Sequence, residues 1–293
     1  MMTHNLLYAR LSLLAIVPLL GMTSAADTTT LEPLGTSHRG TKPNVVTVVA
    51  SEFAFEMPQS IPAGLTTFEL RNHGALIHHL TIARLDSGKT EGDAVEEMVR
   101  LGHNLRPPWM TSTGGPNAAM PGQTTNATVF LAPGSYFAYC EIPGPDLARH
   151  YMKGMVKAFK VTASSAVQTL PLADIKLGLA DYAFVLSRPL TRGHHVIAVT
   201  NGALQPHMVA FKRYPIGYPA GTAANELAAW ALNPQGKPSP GVSVGGITEI
   251  GPAGVATMEG DFEPGMYLLI CYSAAPNGTP HFKLGMQKEI TVR

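Results

Sequence analysis

The chain has 293 residues, 14% of them charged, and a formal net charge of +1 without a basic or acidic block, so neither nucleic acid nor an anionic membrane surface is implied as a partner. Its two cysteines allow one disulfide at most and exclude a disulfide-stapled scaffold.

The first residues carry Arg10, the apolar run Leu11 to Leu20, and the small-residue stretch Gly-Met-Thr-Ser-Ala-Ala. This pattern predicts a signal peptide over residues 1–26, cut after Ala26, and hence a periplasmic or secreted product. No later segment approaches the roughly 18 apolar residues of a membrane span. Residues 27–44, rich in Thr, Gly and Pro, predict a flexible lead-in.

From Val45 the pattern turns to short strands, at Val45 to Ala50, Phe53 to Phe55, Thr66 to Leu70 and Leu80 to Leu85, punctuated by Pro58, Pro62 and Gly64. Residues 91–102 predict a short helix ending at Gly102, followed by a Pro- and Gly-rich loop around Trp109 and Gly114-Gly115. Strands follow at Thr128 to Leu131, Tyr136 to Cys140 and Val156 to Val161. Short strands with frequent turns predict an all-β chain of sandwich or barrel type.

The chain then repeats itself. Phe53 and Tyr182, Gly64 and Gly193, Asn72 and Asn201, and His78 and His207 are all 129 apart. Gly114-Gly115 and Gly245-Gly246, Pro133-Gly134 and Pro264-Gly265, and Tyr136 and Tyr267 are 131 apart, so two residues were gained in the helix-and-loop region. The repeat predicts a first domain over 45–162, a linker over 163–176 and a second domain over 177–293, each half with its own core.

Both cysteines sit in the repeated loop. Cys140 is followed by His150 and Met155, and Cys271 by His281 and Met286 at the same spacing, each Met preceded by a Gly. A thiolate with two imidazoles and a weak thioether is the donor set of a blue-copper electron-transfer centre. The second imidazole has a candidate upstream in each half, within Asn72-x-Gly-x-x-x-His78 and the closely similar Asn201 to His207, where each His is expected to open a strand. His79 competes with His78, but its counterpart is Met208, and Met152 competes with Met155, but its counterpart is Lys283. His73, His103, His194 and His195 have no His counterparts and read as solvated, while Trp109 and Trp230 read as covers over the loops. A Cys140–Cys271 disulfide is the bland alternative.

On these residues each half resembles a cupredoxin domain, and the chain resembles two-domain exported members of that blue-copper superfamily. The resemblance implies two tandem Greek-key β-sandwiches, each with a short helix in a long loop, and two type 1 copper sites. It implies His78, Cys140, His150 and Met155 as ligands in the first and His207, Cys271, His281 and Met286 in the second. Nine residues between Cys and the second His make a loop longer than small cupredoxins have, closer to copper nitrite reductases. Tyr139 and Ile270, not His, precede the cysteines and no His-x-His occurs, so ligands for the further copper of such enzymes are not evident. The expected role is electron transfer with an unknown redox protein partner, with copper storage or delivery in the envelope as the alternative.

Overall fold

The computed structural model describes residues 41–102, 105–233 and 237–293. The expected signal peptide, most of the lead-in and His103 lie outside them.

The first repeat supplies β1 (Asn44–Ser51), β2 (Ala54–Glu56), β3 (Ser60–Pro62), β4 (Gly64–Asn72), β5 (Thr81–Leu85), α1 (Glu91–Arg100), β6 (Met110–Gly114), β7 (Thr124–Leu131), β8 (Gly134–Tyr139) and β9 (Val156–Thr162). The second supplies β10 (Ile175–Ala180), β11 (Ala183–Leu186), β12 (Gly193–Asn201), β13 (His207–Tyr214), α2 (Thr222–Leu232), β14 (Val242–Ile250), β15 (Val255–Phe262), β16 (Gly265–Ile270) and β17 (Gln287–Val292). None of the helices is long and apolar enough to cross a membrane among the described residues.

Local chemistry accounts for the elements. In β1 the inward face is Val46, Val48 and Ala50, the period-2 burial of a strand with one face on a core. Thr90 caps α1 in a capping box with Asp93, and the helix buries Ala94 and Met98 against Phe137 and Tyr139. Strand β16 is buried along its whole length because α2 covers its outer face, with Leu268 and Ile270 packing on Ala223 and Leu227. The aligned pair Tyr136 and Tyr267 plays one role twice, each hydroxyl donating to a carbonyl four residues upstream, Ala132 at 2.9 Å and Glu263 at 2.8 Å. One expectation needs correcting: the stretch after Trp109, read as loop, contains β6, whose Thr and Ser content carried little strand signal.

Two sheets form a sandwich, and both repeats contribute to each. The eight-stranded sheet runs β11-β10-β12-β15-β7-β4-β1-β2 and the nine-stranded sheet β17-β16-β13-β14-β6-β5-β8-β9-β3. Apart from the extra edge strand β3, each order reads as one repeat followed by its mirror, with β7 meeting its counterpart β15 and β6 meeting β14, both pairs antiparallel. The register fixes a pseudo-twofold axis. Pro116 bridges Ile247, its own counterpart 131 residues on, and the pairings Thr128 with Thr257 and Val129 with Ala256 run in the register that centres on Ala127 and its counterpart Met258. Such a seam is the intramolecular analogue of an isologous dimer interface.

The repeated Gly pairs make the seam possible. A Cβ on Gly115 would lie 2.1 Å from the Leu80 carbonyl oxygen, and one on Gly246 2.0 Å from that of Val209. Their own carbonyls accept across the seam, Gly115 from the Thr248 amide at 2.9 Å and Gly246 from the Asn117 amide at 3.0 Å. Between the sheets the core is a single cluster that takes residues from both repeats, while the residues under α1 and under α2 form two smaller clusters of their own.

Cutting the chain at the exposed stretch around Ser164 would leave β6, β7, β14 and β15 as bare edges if the halves parted, at the cost of unpaired backbone groups and exposed apolar surface. The cut halves are expected to stay associated and elute as one species on gel filtration. Two separately eluting, folded halves would show that each repeat is self-sufficient.

Candidate metal centres

Each repeat brings a loop after β4 or β12 against the loop after β8 or β16 at one end of the sandwich. The upstream loop is pinned by a buried asparagine. Asn72 donates from Nδ2 to the carbonyls of Leu76 at 2.7 Å and Ala119 at 2.9 Å, and its Oδ1 accepts from the Gly74 amide at 2.9 Å. Asn201 does the same to Gln205 at 2.8 Å, Ile250 at 3.0 Å and the Ala203 amide at 3.0 Å. These amides fix where His78 and His207 emerge. His207 opens β13 as expected, whereas His78 precedes β5 and makes only a bridge to Ala119, a correction to the expected symmetry.

The downstream loop closes on itself. The Cys140 amide donates to the Met155 carbonyl at 3.2 Å, the Tyr151 amide to the Cys140 carbonyl at 2.8 Å, and the Met155 amide to the His150 carbonyl at 3.1 Å. Cys271, Phe282, His281 and Met286 repeat these bonds. A 3-10 turn over His150–Lys153, and again over His281–Leu284, ends on a left-handed Gly154 or Gly285, which explains the Gly before each Met.

The result is two equivalent clusters, His78, Cys140 and His150, and His207, Cys271 and His281, with ligand atoms within 4.8 Å of one another. In the first the Nδ1 atoms of His78 and His150 lie 3.1 Å apart and Cys140 Sγ is 3.5 Å from His150 Nδ1. In the second the two Nδ1 atoms lie 2.9 Å apart, with Cys271 Sγ 3.5 Å from His281 and 3.9 Å from His207. Three donors in a plane about a first-row metal, at bond lengths of about 2.0–2.3 Å, stand roughly 3.5 Å apart, so the donor set fits such an ion with little movement. Met155 and Met286 are fully buried in the core that carries both clusters. Both cysteines are free and buried, in separate clusters.

The remaining sequence candidates fall elsewhere. His79 is buried but turns away, its Nε2 accepting from the Glu141 amide at 2.8 Å. Met152 is exposed. His73 and His194 are exposed as expected, but His195 is buried, with Nδ1 2.6 Å from Asp174 and Nε2 3.1 Å from Thr191 Oγ1, which corrects its reading as solvated. Trp230 donates from Nε1 to the Lys237 carbonyl at 2.7 Å, and Lys89 lies over the Trp109 ring.

Sequence reading missed the surroundings of the clusters. The His79 amide points at Cys140 Sγ at 3.5 Å and the Met208 amide at Cys271 Sγ at 3.4 Å, backbone donors that a sequence cannot orient. Phe53 and Tyr182 set their rings edge-on to His150 and His281 at 5.2 and 5.1 Å between centroids. One residue earlier stand Glu52 and Asp181, and here the repeats part. Asp181 Oδ1 is 2.7 Å from His207 Nε2, while Glu52 is 3.8 Å from His78 Nε2 and accepts instead from the amides of Ala75 and Leu76. The 129-residue offset that pairs Phe53 with Tyr182 was the available signal for both carboxylates.

Burial governs the protonation of the clusters. It pushes His150 and His281 down to about 4, helped by the neighbouring imidazole, and His79 to about 3. His78 and His207 are also lowered by burial, against the opposing pull of Glu52 and Asp181. Both thiols are pushed up to about 12, again by burial. Near neutral pH the metal-free clusters therefore hold neutral imidazoles and thiols, and a metal has to displace a proton from each sulfur.

The fold is an all-β sandwich of two sheets, and solved copper proteins are among the structures similar to it. Auracyanin A, a "blue" copper protein from Chloroflexus aurantiacus, is similar at 19% identity over 42% of this chain and 99% of its own, with a TM-score of 0.30. Auracyanin from Roseiflexus castenholzii is similar at 20% identity over 42% of this chain and 99% of its own, with a TM-score of 0.29. A copper-containing nitrite reductase from Thermus scotoductus is similar at 13% identity over 86% of this chain and 62% of its own, with a TM-score of 0.24. No protein-family model matches the chain, and a search of curated proteins gave no match.

The lowered imidazoles set a pH dependence. In the unfolded chain they titrate near the ordinary 6.5, so below that pH the unfolded state binds more protons than the folded one. Stability present above pH 6.5 is expected to drain from the metal-free protein as pH falls toward about 4, by at most about 1.4 kcal/mol per pH unit for each such histidine. Urea unfolding of metal-free protein at a series of pH values checks this; a flat profile from pH 7 to 4.5 would contradict it.

Proposed function

We propose that this is an exported electron-transfer protein with one type 1 copper in each repeat, held by His78, Cys140, His150 and Met155 and by His207, Cys271, His281 and Met286. The observation that carries the reading is the duplicated cluster of two inward Nδ1 atoms and one Sγ, fully enclosed at the same end of both repeats. The leader expected over residues 1–26 supports a periplasmic or secreted location, and a redox protein is the expected partner. Copper bound there supplies a one-electron couple, for which soft sulfur favours the reduced ion and imidazole serves both states.

The protein's part is to hold these donors still and dry. The closed hydrogen-bond ring of each Cys loop and the asparagine pins fix the donors before any metal arrives, which keeps rearrangement on electron arrival small. The amides of His79 and Met208 disperse charge from the thiolates. Phe53 and Tyr182 cover the downstream imidazoles. Burial of all three donors also favours a carrier over a delivery protein, since a donor to another chelator needs an opening through which the ion passes.

Copper-loaded, oxidised protein is expected to show an intense visible thiolate-to-copper band that bleaches on reduction, and Cys140→Ser is expected to remove about half of it. Two coppers per chain without colour would refute the type 1 assignment. The carboxylate asymmetry predicts two distinct potentials. Asp181 makes the His207 ring more electron-rich and so favours the oxidised ion. Asp181→Asn is expected to raise one potential by tens of millivolts, a tenfold change in the relative affinity of the two oxidation states being about 59 mV. Redox titration of the visible band reads both waves.

A further inference from the structure

Outside the metal centres, the outer face of the nine-stranded sheet holds a cavity of about 340 Å³ where the two repeats meet. It takes residues related by the pseudo-twofold, His79 with Met208 and Glu141 with Tyr272. One side of it is in charge balance: buried Arg106 reaches Glu141 at 2.6 Å and Glu249 at 3.3 Å, and Arg149, which also lines the cavity, is the second cation acting on Glu141. The other side is not.

Lys212, on β13, is buried at 5% exposure and lines the cavity. Its Nζ contacts the neutral hydroxyl of Ser239 at 2.8 Å, and among the described residues no carboxylate stands within ion-pair distance of it. Burial alone pushes this ammonium down to about 8, so near neutral pH it still carries its charge. A buried cation without an anion is costly, and a fold keeps one when something supplies the counter-charge. Directly across the strand pair is Ser243, whose buried hydroxyl has no partner among the described residues. Tyr272 lines the same cavity, and its hydroxyl is likewise buried without a partner among the described residues. One ammonium and two idle hydroxyls, those of Ser243 and Tyr272, therefore belong to the lining of one cavity, together with the apolar Ile77, Met208, Trp230 and Phe282.

We infer that this cavity is a binding site for a small organic carboxylate, its anionic head on Lys212 with hydroxyl donors around it and its hydrocarbon or aromatic body against the apolar walls. The size suits such a ligand, and the cavity sets polar groups beside apolar walls, as small-molecule sites do. The inference does not depend on copper. It concerns groups that take no part in either metal cluster.

Trp230 in the wall makes the test optical. Full-length mature protein is titrated with benzoate and with 3-methylbutanoate while tryptophan emission is followed, with benzamide as the neutral control. Saturable quenching is expected with at least one carboxylate, lost in Trp230→Phe and weaker by about tenfold or more for benzamide, since a charge-assisted hydrogen bond is worth roughly that factor. Lys212→Met should weaken carboxylate binding by about tenfold or more and, in the absence of ligand, should raise the melting temperature, because it removes an uncompensated buried charge. Ser243→Ala provides a second variant of nearly unchanged shape and should weaken binding several-fold. No saturation by either carboxylate up to about 10 mM, equal affinity for benzamide, or unchanged affinity in both Lys212→Met and Ser243→Ala would overturn the inference.

Discussion

The structure depends on two buried side-chain amides. Asn72 and Asn201 each satisfy one carbonyl and one amide of the loop they begin and tie it to one carbonyl of a distant segment, Ala119 or Ile250, in the buried interior, so the chain has one way to run toward His78 or His207. A buried amide with every bond made is stiff, because any other path strands polar groups in the core. The Cys loops answer with backbone bonds instead, the Cys amide to the Met carbonyl and the Met amide back to the His carbonyl, so that two imidazoles arrive from segments more than 70 residues apart and still meet within hydrogen-bond range.

The pseudo-twofold seam organises the rest. Both sheets run through it, both metal clusters lie in the core it unites, and the cavity around Lys212 spans it. The duplicated backbone carries side chains that have gone separate ways. Glu52 and Asp181 occupy one position, yet only Asp181 reaches its imidazole; His79 and Met208 occupy another, yet both donate the same backbone amide to sulfur. What the two halves share is backbone geometry at the clusters, and where they differ is in the groups just outside them.

The spacing of Cys140, His150 and Met155, repeated at Cys271, His281 and Met286, made the clusters legible because chelation constrains residue type and loop length together, and both leave a trace in one dimension. Strand periodicity was legible for the same reason in β1 and β4, whose alternate residues face one core. It failed at β6, where a Ser- and Thr-rich strand is held by neighbours on both sides and needs little propensity of its own. It failed differently at His195, which has no counterpart in the repeat and is buried because Asp174 and Thr191 happen to close around it.

By itself, then, the sequence determined an all-β chain, a twofold repeat and a Cys-His-Met loop in each half, because alternation, duplication and chelating spacing are local patterns written along the chain. Only the tertiary structure decided that the halves share both sheets across a pseudo-twofold axis, that Asp181 but not Glu52 engages its histidine, and that Lys212 faces idle hydroxyls in a cavity. Those outcomes turn on which edges pair, on whether a carboxylate stands 2.7 or 3.8 Å from its imidazole, and on the absence of a counter-charge in three dimensions, and none of these is encoded in the spacing of residues.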